Sequence, residues 1–130
     1  MREAFQWAAV LGGGTLSYVF GGLDDLLKAL LLLIILDYIT GVIVGASRKN
    51  LSSAIGLRGI FKKLMILFTV SAAYAIQQVI AIDLPIRDMT VLFYLCNEGI
   101  SLLENASELI PVPQKLKEIL LKFKEEEEKK

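Results

Sequence analysis

The chain has 130 residues, of which 55% are hydrophobic, and its 14 basic residues balance its 14 acidic ones. This apolar composition excludes intrinsic disorder, and the lack of a basic excess argues against nucleic-acid binding. A chain of this length cannot bury several long uncharged stretches on all sides, so a lipid bilayer is their natural solvent. We therefore expect residues 1–130 to form a single all-α membrane domain, a small polytopic transmembrane helical bundle of three to four spans.

The chain contains no histidine and a single cysteine, Cys96. These counts exclude an intrachain disulfide, a histidine-based catalytic triad and a histidine-ligated metal site. The glycines of residues 12–14 lack the Lys-Ser/Thr that completes a phosphate-binding loop. We predict no catalytic residues, no metal site and no cofactor.

The first predicted segment, residues 4–23, is uncharged and rich in glycine. Its moderate apolar character leaves two alternatives, a first span and a segment lying at the membrane interface. Arg2 is offset by Glu3, and no small-residue cleavage motif precedes Asp24, so we expect no cleaved signal peptide.

The second predicted span, residues 26–46, is strongly apolar but carries Asp37 near its middle. A central Asp costs about 2.5–3.5 kcal/mol on insertion scales. Asp37, Gly41 and Gly45 recur every four residues and so share one helical face, and the two glycines permit the close approach of another helix. We predict a helix-packing face here, formed within one bundle or between subunits.

A basic connection is predicted over residues 47–63, which contain no acidic residue. The positive-inside rule places it in the cytoplasm. The third span, residues 64–82, then leads outward, the fourth, residues 89–110, returns, and the C-terminus is cytoplasmic. The residues that set this topology are Arg48, Lys49, Arg58, Lys62 and Lys63.

The fourth predicted span is amphipathic, with polar residues repeating at helical spacing. Because Lys and Arg are predicted in the connections, one chain offers few basic partners for these carboxylates, and self-association around water would shelter them. The alternative is a helix lying in the headgroup region. The predicted pore-lining or polar contact face consists of Asn97, Glu98, Ser101, Glu104, Asn105 and Glu108.

Pro111 and Pro113 end the fourth segment. Residues 114–123 then predict a short amphipathic helix, and residues 124–130 form a charged tail that we expect to be solvated. The apolar face of the short helix comprises Leu116, Ile119, Leu120 and Phe123.

An ordered set of short motifs covers roughly residues 16–123. They are residues 37–42 (DYITGV), 56–63 (GLRGIFKK), 86–88 (IRD), 97–106 (NEGISLLENA) and 110–113 (IPVP). With these motifs in this order, the chain resembles the small phage-lysis and toxin-secretion holins of Gram-positive bacteria and their phages.

The resemblance implies a non-enzymatic protein of the bacterial cytoplasmic membrane. Such a protein has the lipid bilayer and further copies of itself as partners. As a homo-oligomer it opens lesions that release a cytoplasmic murein hydrolase (endolysin) or a large toxin. Two other classes stay open, a small channel or transporter subunit and a non-pore membrane adaptor that recruits a partner through residues 114–123.

Overall fold

The computed structural model describes residues 1–129, and Lys130 of the predicted charged tail lies outside them. The described part of the chain forms five α-helices and no strand, which confirms the predicted all-α class. The five helices are α1 (Arg2–Phe20), α2 (Asp25–Ser47), α3 (Ser53–Val79), α4 (Ile86–Ser107) and α5 (Gln114–Glu128).

Local chemistry explains where α2 and α3 begin and where α1 ends. The side chain of Asp24 caps α2 by accepting a hydrogen bond from the backbone N–H of Leu27 at 3.0 Å, and Ser52 caps α3 through Ile55 N–H at 3.2 Å. Such caps satisfy donors that the first helical turn leaves unpaired. α1 ends at Gly21, whose φ of 80° is the left-handed conformation that favours glycine.

Two of the helix boundaries differ from the sequence prediction by more than three residues. α3 begins at Ser53, so only a short link separates it from α2, and Arg58, Lys62 and Lys63 lie on the helix instead of in a connection. Helix α5 continues to Glu128, so most of the predicted charged tail is helical. Because α3 begins earlier than predicted, Lys63 lies on this helix and contacts α2 and α4.

Among the described residues, two helices are long and apolar enough to cross a membrane, α2 and α3. Only 17% of the most apolar part of α2 and 11% of that of α3 is buried in the fold. A core helix of a soluble protein would be mostly covered by protein. The exposed apolar surface of these two helices indicates a membrane protein.

The packing centres on α2, α3 and α4. Arg87 at the start of α4 bonds Asp24 before α2, and Glu108 after α4 bonds Arg48 after α2, so the two helices run parallel and in register along their whole lengths. Helix α3 runs antiparallel to both, because it is the single crossing between them. The apolar core of this three-helix unit comprises Leu27, Leu30, Ile34, Val70 and Val91.

The outer helices α1 and α5 pack less extensively. No residue of α1 is buried, and its described contacts lie at its C-terminal end, where Ser71 Oγ donates to the carbonyl of Val19 at 3.2 Å. Helix α5 folds back along α4, and its Leu120 approaches Gly99.

Candidate functional site

The central cluster, which we define as Asp37, Lys63, Glu98 and Asn105, joins the three core helices near their middle. The ammonium of Lys63 on α3 donates to a carboxylate oxygen of Asp37 on α2 and to one of Glu98 on α4, the latter at 2.5 Å. Both carboxylate side chains are 7% exposed, and that of Lys63 is 18% exposed. One cation thus holds two buried anions, and the three side chains carry a net charge of −1 when all are ionised.

Asn105 adds neutral hydrogen bonds to the central cluster. Its side-chain amide donates to the carboxylate of Asp37 at 3.0 Å and to the hydroxyl of Thr40 at 3.1 Å. Gly41 lies beside this amide, and a methyl group there would lie 3.7 Å from the amide nitrogen. That is an ordinary contact distance, so Gly41 lies at the α2–α4 contact and an alanine would also fit there.

The side chain of Tyr38 on α2 packs against two glycines of α3. The hydroxyl of Tyr38 donates to the carbonyl of Gly56 at 3.3 Å, and a methyl group at Gly59 would lie 3.3 Å from the Tyr38 ring. Because Gly59 has no side chain, the Tyr38 ring packs closely against α3, one turn before Lys63. Two of the motifs quoted above, residues 37–42 and 56–63, thus meet in space.

An open cleft of about 260 Å³ leads from the α2–α3 link to the central cluster. Its walls combine polar groups, among them Asp37, Lys63 and Ser101, with glycines of α2 and α3. The cleft is large enough to hold water, so the cluster has a path to solvent on one side.

The end cluster, which we define as Arg87, Asp24 and Asp88, lies at the opposite end of the bundle from the α2–α3 link. The guanidinium of Arg87 is 5% exposed and bonds Asp24 at 2.7 Å and Asp88 at 2.9 Å. It also donates to the backbone carbonyls of Phe20 at 2.9 Å and Gly22 at 3.0 Å. The hydrogen bond from Arg87 is the main reason that the pKa of Asp24 is lowered from its ordinary value.

The six predicted polar residues of α4 divide between two edges of the helix. Glu98 and Asn105 point into the bundle and belong to the central cluster. Glu104 is exposed and lies 3.5 Å from Lys117 of α5, and Glu108 pairs with Arg48. Ser101 lines the cleft, and Asn97 is half-buried.

The expectation that one chain offers these carboxylates few basic partners is wrong. The basic charge of residues 47–63 predicts a connection that leaves Lys63 outside the bundle, whereas α3 begins at Ser53 and carries Lys63 into it. Of the other predicted topology residues, Arg48 and Lys49 follow α2, and Arg58 and Lys62 are exposed on α3.

The predicted packing face of α2 is occupied within the chain. Asp37 and Gly41 face α4, and a methyl group at Gly45 would lie 3.5 Å from Leu51 of the α2–α3 link. Sequence reasoning missed Arg87 and Tyr38 as site residues. Arg87 lies between Asp83 and Asp88 in the sequence. An arginine among acidic residues at a turn was the available signal for this cluster.

In the described part of the chain no three His, Cys, Asp or Glu side chains gather closely enough to hold a metal ion. In the central cluster the ammonium of Lys63 takes the place that a cation would need between Asp37 and Glu98. The arrangement is suited to fixing three helices against one another.

Comparison with known proteins covers most of the chain. It is 43% identical over 117 residues to an uncharacterised 14.9 kDa protein of Clostridium perfringens, covering 88% of this chain and 89% of that one. It is 34% identical over 135 residues to an uncharacterised protein of Halalkalibacterium halodurans, covering 99% and 100%. No solved structure gives a significant match.

A phage protein is among the relatives. The protein named "Probable holin" of Bacillus phage phi105 is 36% identical over 93 residues, which cover 72% of this chain and 68% of the phage protein. Residues 14–125 match the bacteriophage holin family, a span that includes α2, α3, α4 and most of α5. The chain therefore belongs to the bacteriophage holin family.

Proposed function

We propose that this protein is a holin that oligomerises in the bacterial cytoplasmic membrane and opens lesions through which a murein hydrolase or a large toxin crosses. The family match and the phage relative support holin function in general. The observation that carries the proposal is a bundle with an apolar outer surface and ionised side chains gathered on the inner faces of α2, α3 and α4.

In this proposal α2, α3 and α4 are three spans. Helices α2 and α3 qualify by length and composition. We assign α4 as the third span because it lies parallel to α2 along its whole length, from Arg87 beside Asp24 to Glu108 beside Arg48. Helix α1 is either a fourth span or an interfacial helix.

The orientation follows from the charges at the two ends of the bundle. Arg48, Lys49 and Arg58 lie near one end, and the positive-inside rule assigns that end to the cytoplasm. The end cluster then faces outward. The C-terminus, which follows α4, is cytoplasmic.

In the proposed oligomer, the polar face of α4 lines the water-filled opening. Glu104 and Glu108 are exposed in the single chain and reach water without disturbing the central cluster. The outward apolar residues of α2 face lipid, for example Leu32, which is 56% exposed. Neighbouring copies enclose the carboxylates because ions facing hydrocarbon are strongly disfavoured.

The test is expression of the chain alone in bacteria, with release of a cytoplasmic reporter enzyme as the readout. A holin releases the enzyme at a defined time after induction. In a Cys96→Ser background, Asn97→Cys and Glu104→Cys then react with a membrane-impermeant thiol reagent once release begins, whereas the matched control Leu32→Cys stays unreactive. Absence of any permeability change at high expression contradicts the proposal and favours a membrane adaptor.

The central cluster favours one second candidate, a small ion-channel subunit. Ionisable side chains inside a membrane bundle commonly mark ion pathways, and the cleft leads to this one. Flux of one small ion without release of the reporter enzyme would support the channel. Release of the enzyme supports the holin.

A further inference from the structure

Helix α5 runs antiparallel to α4, with its charged end beside the first turns of α4. Lys117 lies 3.5 Å from Glu104, and Lys124 lies 5.8 Å from the ring centre of Phe93. Residue numbers therefore rise along α5 as they fall along α4.

The register of α4 with α2 fixes the depth that α5 reaches. Paired residues of the two helices are 60 positions apart at one end and 63 at the other. Nearer the middle, Gly99 lies beside Leu33 and Asn105 bonds Asp37, so the part of α4 from Phe93 to Glu104 that α5 covers lies level with the apolar middle of α2. In a membrane that surrounds α2, the middle of α5 would lie beside hydrocarbon.

This depth conflicts with the composition of α5. The part of α5 at this depth carries the charged residues Glu118, Lys122 and Lys124. Those side chains have no described ion pair in this position, and charged groups in hydrocarbon are strongly disfavoured. The contact of α5 with α4 and a bilayer around α4 therefore exclude one another.

The exposed face of α5 has the chemistry of a helix that lies on a lipid surface. Leu116, Ile119 and Phe123 follow one another at helical spacing and are 44%, 56% and 42% exposed, because α5 touches α4 through one flank only. A row of this kind lying along one side of a helix forms a continuous apolar strip.

Lysines border this apolar strip on both sides. Lys115 and Lys122 are seven residues apart on the side away from α4, and Lys117 and Lys124 are seven apart on the side facing α4. Lysines at such borders extend their ammonium groups to phosphates while their stems stay in apolar surroundings. The acidic Glu118 lies opposite the strip.

We propose that in the membrane α5 leaves α4 and lies on the anionic headgroup layer at the end where α4 finishes. The link of residues 108–113 contains two prolines and allows the helix to turn at that point. Anionic lipid is the occupant because it supplies both an apolar layer for the strip and negative charge for its lysine borders. Departure of α5 releases Glu104 from its contact with Lys117. The inference requires a membrane location and does not require that the chain opens a lesion.

The test uses the full chain in a Cys96→Ser background, reconstituted in vesicles with and without phosphatidylglycerol. An environment-sensitive fluorophore is placed at Ile119→Cys in the strip and, as the matched control, at Glu118→Cys opposite it. In vesicles that contain phosphatidylglycerol, we expect the fluorescence emission of the Ile119 probe to shift to the blue. Lipids that carry a nitroxide near the headgroup should quench it. The Glu118 probe stays aqueous.

Charge variants test the choice of lipid. Each of Lys115→Gln and Lys122→Gln should lower the ratio of lipid-bound to aqueous α5 by about fivefold. Lys129→Gln, which removes the same charge outside the borders of the strip, should change it little.

Two results would overturn the proposal. Equal aqueous exposure of both probes in all vesicles would leave α5 on α4. A blue shift that rises with protein density and is insensitive to the nitroxide lipids would assign the strip to a second copy. Release of a trapped dextran from the same vesicles reports lesion formation separately, so failure of this inference and failure of the holin proposal are distinguishable.

Discussion

The central cluster and the end cluster each hold one cation between two carboxylates, but their surroundings differ. In the central cluster both carboxylates are 7% exposed. In the end cluster the guanidinium is 5% exposed, while the carboxylates of Asp24 and Asp88 are 51% and 53% exposed. Loss of the cation therefore strands two buried anions in the first case and leaves two hydrated anions in the second.

The difference separates two structural roles. The central cluster joins α2, α3 and α4 at one level and so defines the register of the three helices. A buried ion pair of this kind gives little net stability compared with apolar residues of the same shape. The end cluster ties the turn between α1 and α2 to α4 through backbone carbonyls as well as carboxylates, so its arginine works mainly as a hydrogen-bond donor.

The largest effect is expected from Lys63→Met. The variant leaves Asp37 and Glu98 buried without a cation, and removal of one partner of a buried pair costs about 3–5 kcal/mol. The free energy of unfolding in detergent micelles, followed by loss of helical circular dichroism, measures the change. Lys62→Met, at an exposed neighbouring lysine, should lie within about 0.5 kcal/mol of the parent.

A triple variant checks the explanation for that loss. Lys63→Met combined with Asp37→Asn and Glu98→Gln removes all three charges, so no ion is left buried. We expect most of the lost stability to return. If the triple variant is as unstable as Lys63→Met, the stranded anions are not the cause.

A smaller effect is expected from Arg87→Gln. The carbonyls of Phe20 and Gly22 lose their donor, while Asp24 and Asp88 remain hydrated, and the expected cost is about 2 kcal/mol. The same unfolding measurement applies, together with hydrogen exchange at the turn between α1 and α2, which should rise. A cost as large as that of Lys63→Met would remove the distinction between the two clusters.

Lowering the pH should reduce the free energy of unfolding through the end cluster, by less than Arg87→Gln does. Arg87 lowers the pKa of Asp24 from its ordinary 3.8, so the folded state binds this proton less tightly than the unfolded state. The stability contributed is present above the ordinary pKa and is lost as the pH falls through the lowered one. Protonation leaves the bonds of Arg87 to Asp88 and the carbonyls intact, so the loss is smaller than in Arg87→Gln.

Unfolding measured as a function of pH tests this prediction. Asp24→Asn should flatten the acid limb of the stability profile, whereas Asp83→Asn, at an exposed aspartate of the next turn, should leave it unchanged. Parallel profiles for the parent and Asp24→Asn would contradict the assigned ion pair.

Sequence patterns predicted the all-α class because apolar runs of helical length alternate with prolines and acidic turns. The spacing of Asp37, Gly41 and Gly45 also predicted a shared face of α2. The ion pair of Asp37 with Lys63 was missed because residues 47–63 contain five basic and no acidic residues, a pattern typical of a cytoplasmic connection. Ser52 was an available signal, since a serine before a periodic apolar segment commonly caps a helix.

The polar face of α4 shows the limit of such patterns. Helical spacing placed six residues on one side of α4, but Glu98 and Asn105 lie at one edge and Glu104 at the other. Which edge enters the bundle depends on how α4 packs against α2 and α3. That packing is a tertiary property, and the spacing within one helix does not contain it.

The smallest effect is expected at the surface pair of Arg48 and Glu108. Their side chains are 58% and 44% exposed, so water screens the charges, and Glu108→Gln should cost less than about 1 kcal/mol of unfolding free energy. Because Glu108 also belongs to the proposed water-facing edge of α4, the same variant should change the timing of reporter release in cells more than it changes stability. A stability loss comparable to that of Lys63→Met would mean that Glu108 is a buried anchor of the bundle, and the distinction between interior and water-facing carboxylates of α4 would fail.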